Sequence, residues 1–170
     1  LWLGTPHGVF RFDGKSFLPV APQAQVNGVY SLCEDHDGSV WVGTYSGGLV
    51  RIGANGVFDE AAAVHGLPEL ESRELLVDRQ GRLWVGTEFG LWLRDEQGFR
   101  QVGLETKPIR SLALGPDGRV WIASDRIYVS DGTPGMEPRA ADMGLGVVVQ
   151  RPSCLEWSAD GKQFWIGMQG

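Results

Sequence analysis

Cysteine is scarce in this chain: Cys33 and Cys154 are the only two in 170 residues. Two distant cysteines make no disulfide framework, so two free thiols are expected. They do not identify a compartment. No stretch approaches the roughly 18 apolar residues of a membrane span, so no membrane contact is expected within the chain. No signal-peptide pattern is read in these residues. The opening "LWLGT" reads as mid-strand and has no initiator Met, so upstream sequence is expected. Positive charge is in deficit, with 15 Lys and Arg against 21 Asp and Glu and a net charge of −6. That balance argues against a nucleic-acid binder, which shows a basic face. Histidine is limited to His7, His36 and His65, each in an apparent turn or connector. No His cluster or Ser-His-Asp spacing stands out, so no catalytic residue, metal or cofactor is assigned. Stripes of helical period are scarce as well.

What is abundant is glycine, with 25 residues, and tryptophan, with seven. Gly-rich turns between short β-branched and aromatic runs predict an all-β fold. Five segments repeat: "LWLGT", "VWVGT", "LWVGT", "VWIAS" and "FWIGM". Their tryptophans, Trp2, Trp41, Trp84, Trp121 and Trp165, are separated by 39, 43, 37 and 44 residues. That spacing is near the roughly 40–50 residue period of propeller blades. Gly38, Gly81 and Gly118 stand three residues before the Trp, with Gly161 one residue further away. Six residues before each Gly is Leu32, Leu75, Leu112 or Leu155. A Leu strand thus leads through a Gly turn into the Trp strand, which is a β-hairpin. A third strand follows at "VFRF", "LVRI", "LWLR" and "IYVS". A weaker fourth follows at "SFLPV", "GVFDE" and "GFRQV", with an ill-defined copy around Met136. Four antiparallel strands per repeat make a propeller blade.

The recurring residues have mechanical roles. A blade buries its faces only against its neighbours. Trp is the largest apolar filler for the gap, and its replacement by Ala should cost about 3–5 kcal/mol. Gly43 and Gly86, two residues after their Trp, should leave room for a neighbouring strand or ring. Two apparent sites dissolve under the same comparison. Asp35, Asp37 and Gly38 begin like a calcium loop, but the twelfth position is Ser46 rather than Glu. The same turn reads "DRQG", "GPDG" and "SADG" elsewhere, so Asp capping its own backbone is the expectation. "GTYSGG" has a strand after it and no Lys, unlike a phosphate loop.

"LCEDHDGSVWVGTYSGGLVRI" and "LLVDRQGRLWVGTEFGLWL" strongly resemble the two-component regulator propeller repeat. "HGLP", from His65 to Pro68, resembles that family's connector between blades. The resemblance implies a periplasmic or otherwise extracytoplasmic sensor β-propeller, placed ahead of a membrane span and a histidine kinase or diguanylate cyclase. It also implies recognition of a carbohydrate or another small solute. About four blades of material are expected, in blade-like units near 1–20, 26–60, 70–103, 108–140 and 152–170. The expectation is part of a larger propeller, with a compact four-bladed ring as the alternative. Open blade edges would invite self-association.

Strand direction alternates within a blade. The connector into the first strand therefore shares a rim with the loop between the second and third. On that rim Tyr30, Arg73 and Arg110 form one column, two residues before the recurring Leu. Tyr45, Glu88, Phe89, Asp125 and Arg126 come from the second-to-third loops. These positions vary while the scaffold repeats. Aromatic faces beside Arg and acidic partners suit a polar solute such as a sugar. The function read from the sequence is a non-catalytic ligand-sensing module. The alternatives are a propeller lyase resembling streptogramin lyase, or a passive interaction and dimerisation scaffold.

Overall fold

The computed structural model describes residues 1–20, 26, 28–45, 48–57, 71–144 and 149–168. They form five antiparallel sheets in chain order. The first contains β1 (Trp2–Thr5), β2 (Gly8–Phe12) and β3 (Phe17–Val20). The second contains β4 (Val29–Glu34), β5 (Val40–Thr44) and β6 (Leu49–Ile52). The third has four strands: β7 (Ser72–Val77), β8 (Leu83–Thr87), β9 (Gly90–Asp95) and β10 (Gly98–Gly103). The fourth also has four: β11 (Ser111–Leu114), β12 (Val120–Ala123), β13 (Ile127–Ser130) and β14 (Arg139–Ala140). The fifth is the hairpin of β15 (Pro152–Trp157) and β16 (Phe164–Met168). Every strand pairs only with its neighbour in sequence, so each sheet is an up-and-down blade. The leading strands β4, β7, β11 and β15 lie beside one another in succession, and β1 lies beside β4. The fold is all-β, and among the described residues no helix is long and apolar enough to cross a membrane.

The fourth-strand expectations fare differently. "GFRQV" forms β10 and "SFLPV" forms β3. Pro19 is tolerated in β3 because that strand is the sheet's edge, where a missing N–H breaks no ladder. Most of "GVFDE", and all of "HGLP", lie outside the described residues. Met136 is in a turn, its N–H bonded to the carbonyl of Thr133 at 3.1 Å. The fourth strand there is the two-residue β14, displaced to Arg139–Ala140. Pro134 is in this turn and Pro138 follows it, and both lack the N–H that a longer strand would use.

The core is divided among the blade interfaces. Val9, Val40, Val42 and Ile52 pack between the first two blades. Trp41, Leu75, Leu83 and Val85 pack between the second and third. Trp84, Leu91, Leu93, Ile109, Leu112 and Ile122 fill the next gap. Ala113, Ala123, Ile127 and Leu155 pack with Trp121, Trp157 and Phe164 in the last. Trp41 and Trp84 are 0% exposed, whereas Trp165 is 60% exposed because no described sheet covers it. A Cβ on Gly86 would come within 2.6 Å of Ile109 Cγ2, so this glycine admits the next blade's side chain. At Gly43 the obstacle would be the backbone carbonyl of Ser72.

The turn aspartates do more than cap their own backbone. Asp35 Oδ2 accepts the indole N–H of Trp41 at 3.0 Å, and Asp78 Oδ2 accepts that of Trp84 at 2.8 Å. Asp78 is fully buried and also receives Arg82 Nε at 2.7 Å. Gly115 occupies the equivalent position in the fourth blade, and Trp121 Nε1 there is buried with no hydrogen-bond partner. The first Asp of the turn is therefore a polar anchor for a buried indole, which would otherwise lose its hydrogen bond to water.

Candidate functional site

The rim residues owe their direction to a repeated irregularity. In the third blade Ser72 pairs with Thr87 and Glu74 with Gly86, which leaves Arg73 as the extra residue of a β-bulge. Tyr30 is the extra residue in the second blade and Ser153 in the fifth. Arg110 has the same place ahead of β11, its N–H bonded to the carbonyl of Ala123 at 2.9 Å. A bulge re-aims one side chain while the strand continues, so it presents a variable residue without disturbing the blade.

Arg73, Glu88 and Arg110 converge on one pocket of about 480 Å³. Pro108, Ile109, Arg151 and Ser153 complete its lining. Arg73 holds Glu71 at 2.7 Å and Glu88 at 2.6 Å. Its hydrogen bonds to Glu71 push its pKa above the ordinary arginine value. Glu88 Oε2 is closed off from solvent, and no donor meets it in hydrogen-bond geometry despite that short ion pair. Arg110 Nε is likewise buried without a partner. Glu74 lies next to this pocket. Its Cβ and the side chain of Ile109 both come within 3.2 Å of where a Cβ on Gly86 would stand. Burial pushes the Glu74 carboxyl up to about 7.

The other predicted rim residues do not line that pocket. Tyr30 and Tyr45, both half exposed, meet edge to face with ring centroids 5.8 Å apart. Phe89 is exposed on the next blade's loop, and its carbonyl accepts Gln101 Nε2 at 3.0 Å. Asp125 is bonded to Lys107 Nζ at 2.9 Å and to the Tyr128 hydroxyl at 2.8 Å. Burial opposes ionisation of Asp125, but those two bonds hold its carboxyl below the ordinary value. Arg126 is 3.8 Å from the same carboxylate. Among the described residues no group of His, Cys, Asp and Glu is placed to hold a metal. Cys33 and Cys154 are both free, and burial pushes the Cys33 thiol up.

Sequence reasoning missed Arg151 and Ser153. Ser153 belongs to the column of Tyr30, Arg73 and Arg110 but is small and neutral. Arg151 belongs to a second variable column, four residues before the recurring Leu, shared with Gly28, Glu71 and Pro108. Reading that column alongside the first would have revealed both.

Comparison with known proteins agrees with the repeated strands and the Trp-centred core. The family model described as two component regulator propeller matches residues 25–46, 66–89 and 103–126. Three of the chain's repeats match the two component regulator propeller family. Among solved structures, it is similar to an extracellular domain from B. thetaiotaomicron assigned to a one component system, with 24% identity and a TM-score of 0.74. That match covers 98% of this chain and 25% of the other. A second B. thetaiotaomicron extracellular domain, assigned to a hybrid two component system, matches at 22% identity and a TM-score of 0.76, covering 98% and 24%. Virginiamycin B lyase from Staphylococcus aureus matches at 17% identity and a TM-score of 0.70, covering 98% and 58%. These likenesses establish the propeller fold. The chain spans about a quarter of the length of the two extracellular domains. No curated protein matches the chain by sequence.

Proposed function

We propose that this propeller is a ligand-sensing module of a bacterial signal-transduction receptor, located outside the cytoplasm, with no catalytic step of its own. The match of three of its repeats to the two component regulator propeller model supports the receptor role. The extracytoplasmic location draws support from the two similar extracellular domains. The observation that carries ligand binding is the inner-rim pocket. Its volume of about 480 Å³ is in the range of small-molecule sites, roughly 300–1,000 Å³. Its polar lining comes from positions that differ from blade to blade, so the scaffold does not require those side chains.

A thermal-shift screen of the full chain against small polar solutes, sugars included, tests the proposal. A ligand that binds the folded state raises the melting temperature by mass action. Replacing both Arg73 and Arg110 with Ala should abolish that rise while the unliganded protein still melts cooperatively. A rise that persists in the double variant would place the ligand elsewhere. No stabilising solute in a broad screen would favour the passive scaffold.

A further inference from the structure

We infer that the ligand of the inner-rim pocket carries an oxyanion, a carboxylate or sulfate-type group, held by Arg110 and Arg151. The inference rests on the pocket being a ligand site and names the chemistry it selects. Three arginines from three successive blades, Arg73, Arg110 and Arg151, meet at one pocket in a chain of net charge −6. Like charges gathered in a partly enclosed space repel, and a negative partner relieves that repulsion. Arg73 has its partners already in Glu71 and Glu88. Arg110 and Arg151 form no side-chain hydrogen bond or ion pair with any described residue.

Two further observations point the same way. Arg110 Nε is shut off from water with no acceptor. A buried donor left in that state has lost its hydration without compensation, which native proteins rarely tolerate. An oxyanion in the pocket supplies the acceptor, and the planar guanidinium fork matches carboxylate and sulfate oxygens. Arg151 has φ +51°, in the left-handed region that non-glycine residues avoid. At the same repeat position the second blade uses Gly28, with φ +64°. The third and fourth blades have Glu71 and Pro108 there without that conformation, so in the fifth blade the Arg151 side chain is held against a conformational cost. Strain of that kind clusters at ligand clamps. Ser153 also lines the pocket, and its hydroxyl adds a neutral donor.

The test uses the full chain with sulfate, acetate, glucuronate and uncharged glucose, at constant ionic strength set with sodium chloride. Melting temperature and the ¹⁵N spectrum of the arginine Nε–H groups are read together. Glucuronate should stabilise the protein and shift the Arg110 Nε–H resonance, and glucose should do neither. Arg110→Gln and Arg151→Gln should each weaken anion binding at least about tenfold. Arg119→Gln, in a turn on the opposite rim paired with Asp117, should leave it unchanged. Arg151 is exposed, so its variant keeps the fold even if Arg110→Gln does not. Equal binding of glucose and glucuronate, unaffected by Arg151→Gln, overturns the oxyanion and leaves the ligand site standing. No response to any of the three anions also overturns it. The ligand-site reading itself falls only if the wider solute screen finds no stabiliser.

Discussion

Replacing Glu74 with Gln should make the protein more stable above neutral pH and leave it unchanged in acid. Glu74 is half-buried on β7 and has no hydrogen bond or ion pair with a described residue. Burial alone raises its carboxyl from an ordinary 4.5 to about 7. The folded protein therefore keeps this proton over a pH range in which the unfolded chain has lost it. Below about pH 4.5 both states are protonated and the group costs nothing. Between about 4.5 and 7 the unfolded chain ionises first, and stability falls as pH rises. Above about 7 both states are charged and the cost is constant. The gap corresponds to about 3 kcal/mol at full strength. Water reaching the partly exposed side chain cuts this to about 1–2 kcal/mol. In a protein of this size that is a rise in melting temperature of about 2–8 °C. The assay is the melting temperature of wild type and Glu74→Gln from pH 4 to 9, taken as a difference so that other titrating groups cancel. A difference that is the same at pH 4 and pH 8 would refute the reasoning. So would a variant less stable than wild type at pH 8.

Two other expectations follow from the packing. Trp84→Ala should cost about 3–5 kcal/mol, while Trp165→Ala, at the same repeat position but 60% exposed, should cost under about 1 kcal/mol, both measured by urea unfolding. Asp78→Ala should destabilise by at least about 2 kcal/mol, since it leaves the buried Trp84 indole N–H and the Arg82 Nε–H without their acceptor. Adding an Asp35→Ala change should cost a further comparable amount at the Trp41 site, because the two anchors share no partner.

The strands were legible because their signals are local. A Gly with φ of +74° at Gly81 turns one strand back on the next, and the unbroken run of buried residues around Trp84 marks a strand covered on both faces. Periodic spacing of the same local pattern then implies stacking, since one blade cannot bury both of its faces. The weak strand near Met136 failed for the same local reason. Two prolines and a glycine there interrupt the pattern, and the short β14 forms only because β13 offers an edge to pair with.

The candidate site was half legible. Variable columns identified the rim, and Arg73, Arg110 and Glu88 do share one pocket. Tyr30 and Tyr45 instead meet each other, and Asp125 is tied to Lys107 and Tyr128. Nothing in the sequence ranks these outcomes, because they depend on which way a bulge turns a side chain and on which loop the adjacent blade brings close. The sequence by itself determined the all-β repeat, the turn positions and the residues that must be small or large, since those are fixed by backbone geometry and blade thickness. Only the tertiary structure decided that Asp78 anchors an indole, that Trp165 is uncovered, and that Arg151 joins Arg73 and Arg110. Each of these depends on distances between residues far apart in the chain, which packing fixes and local pattern does not.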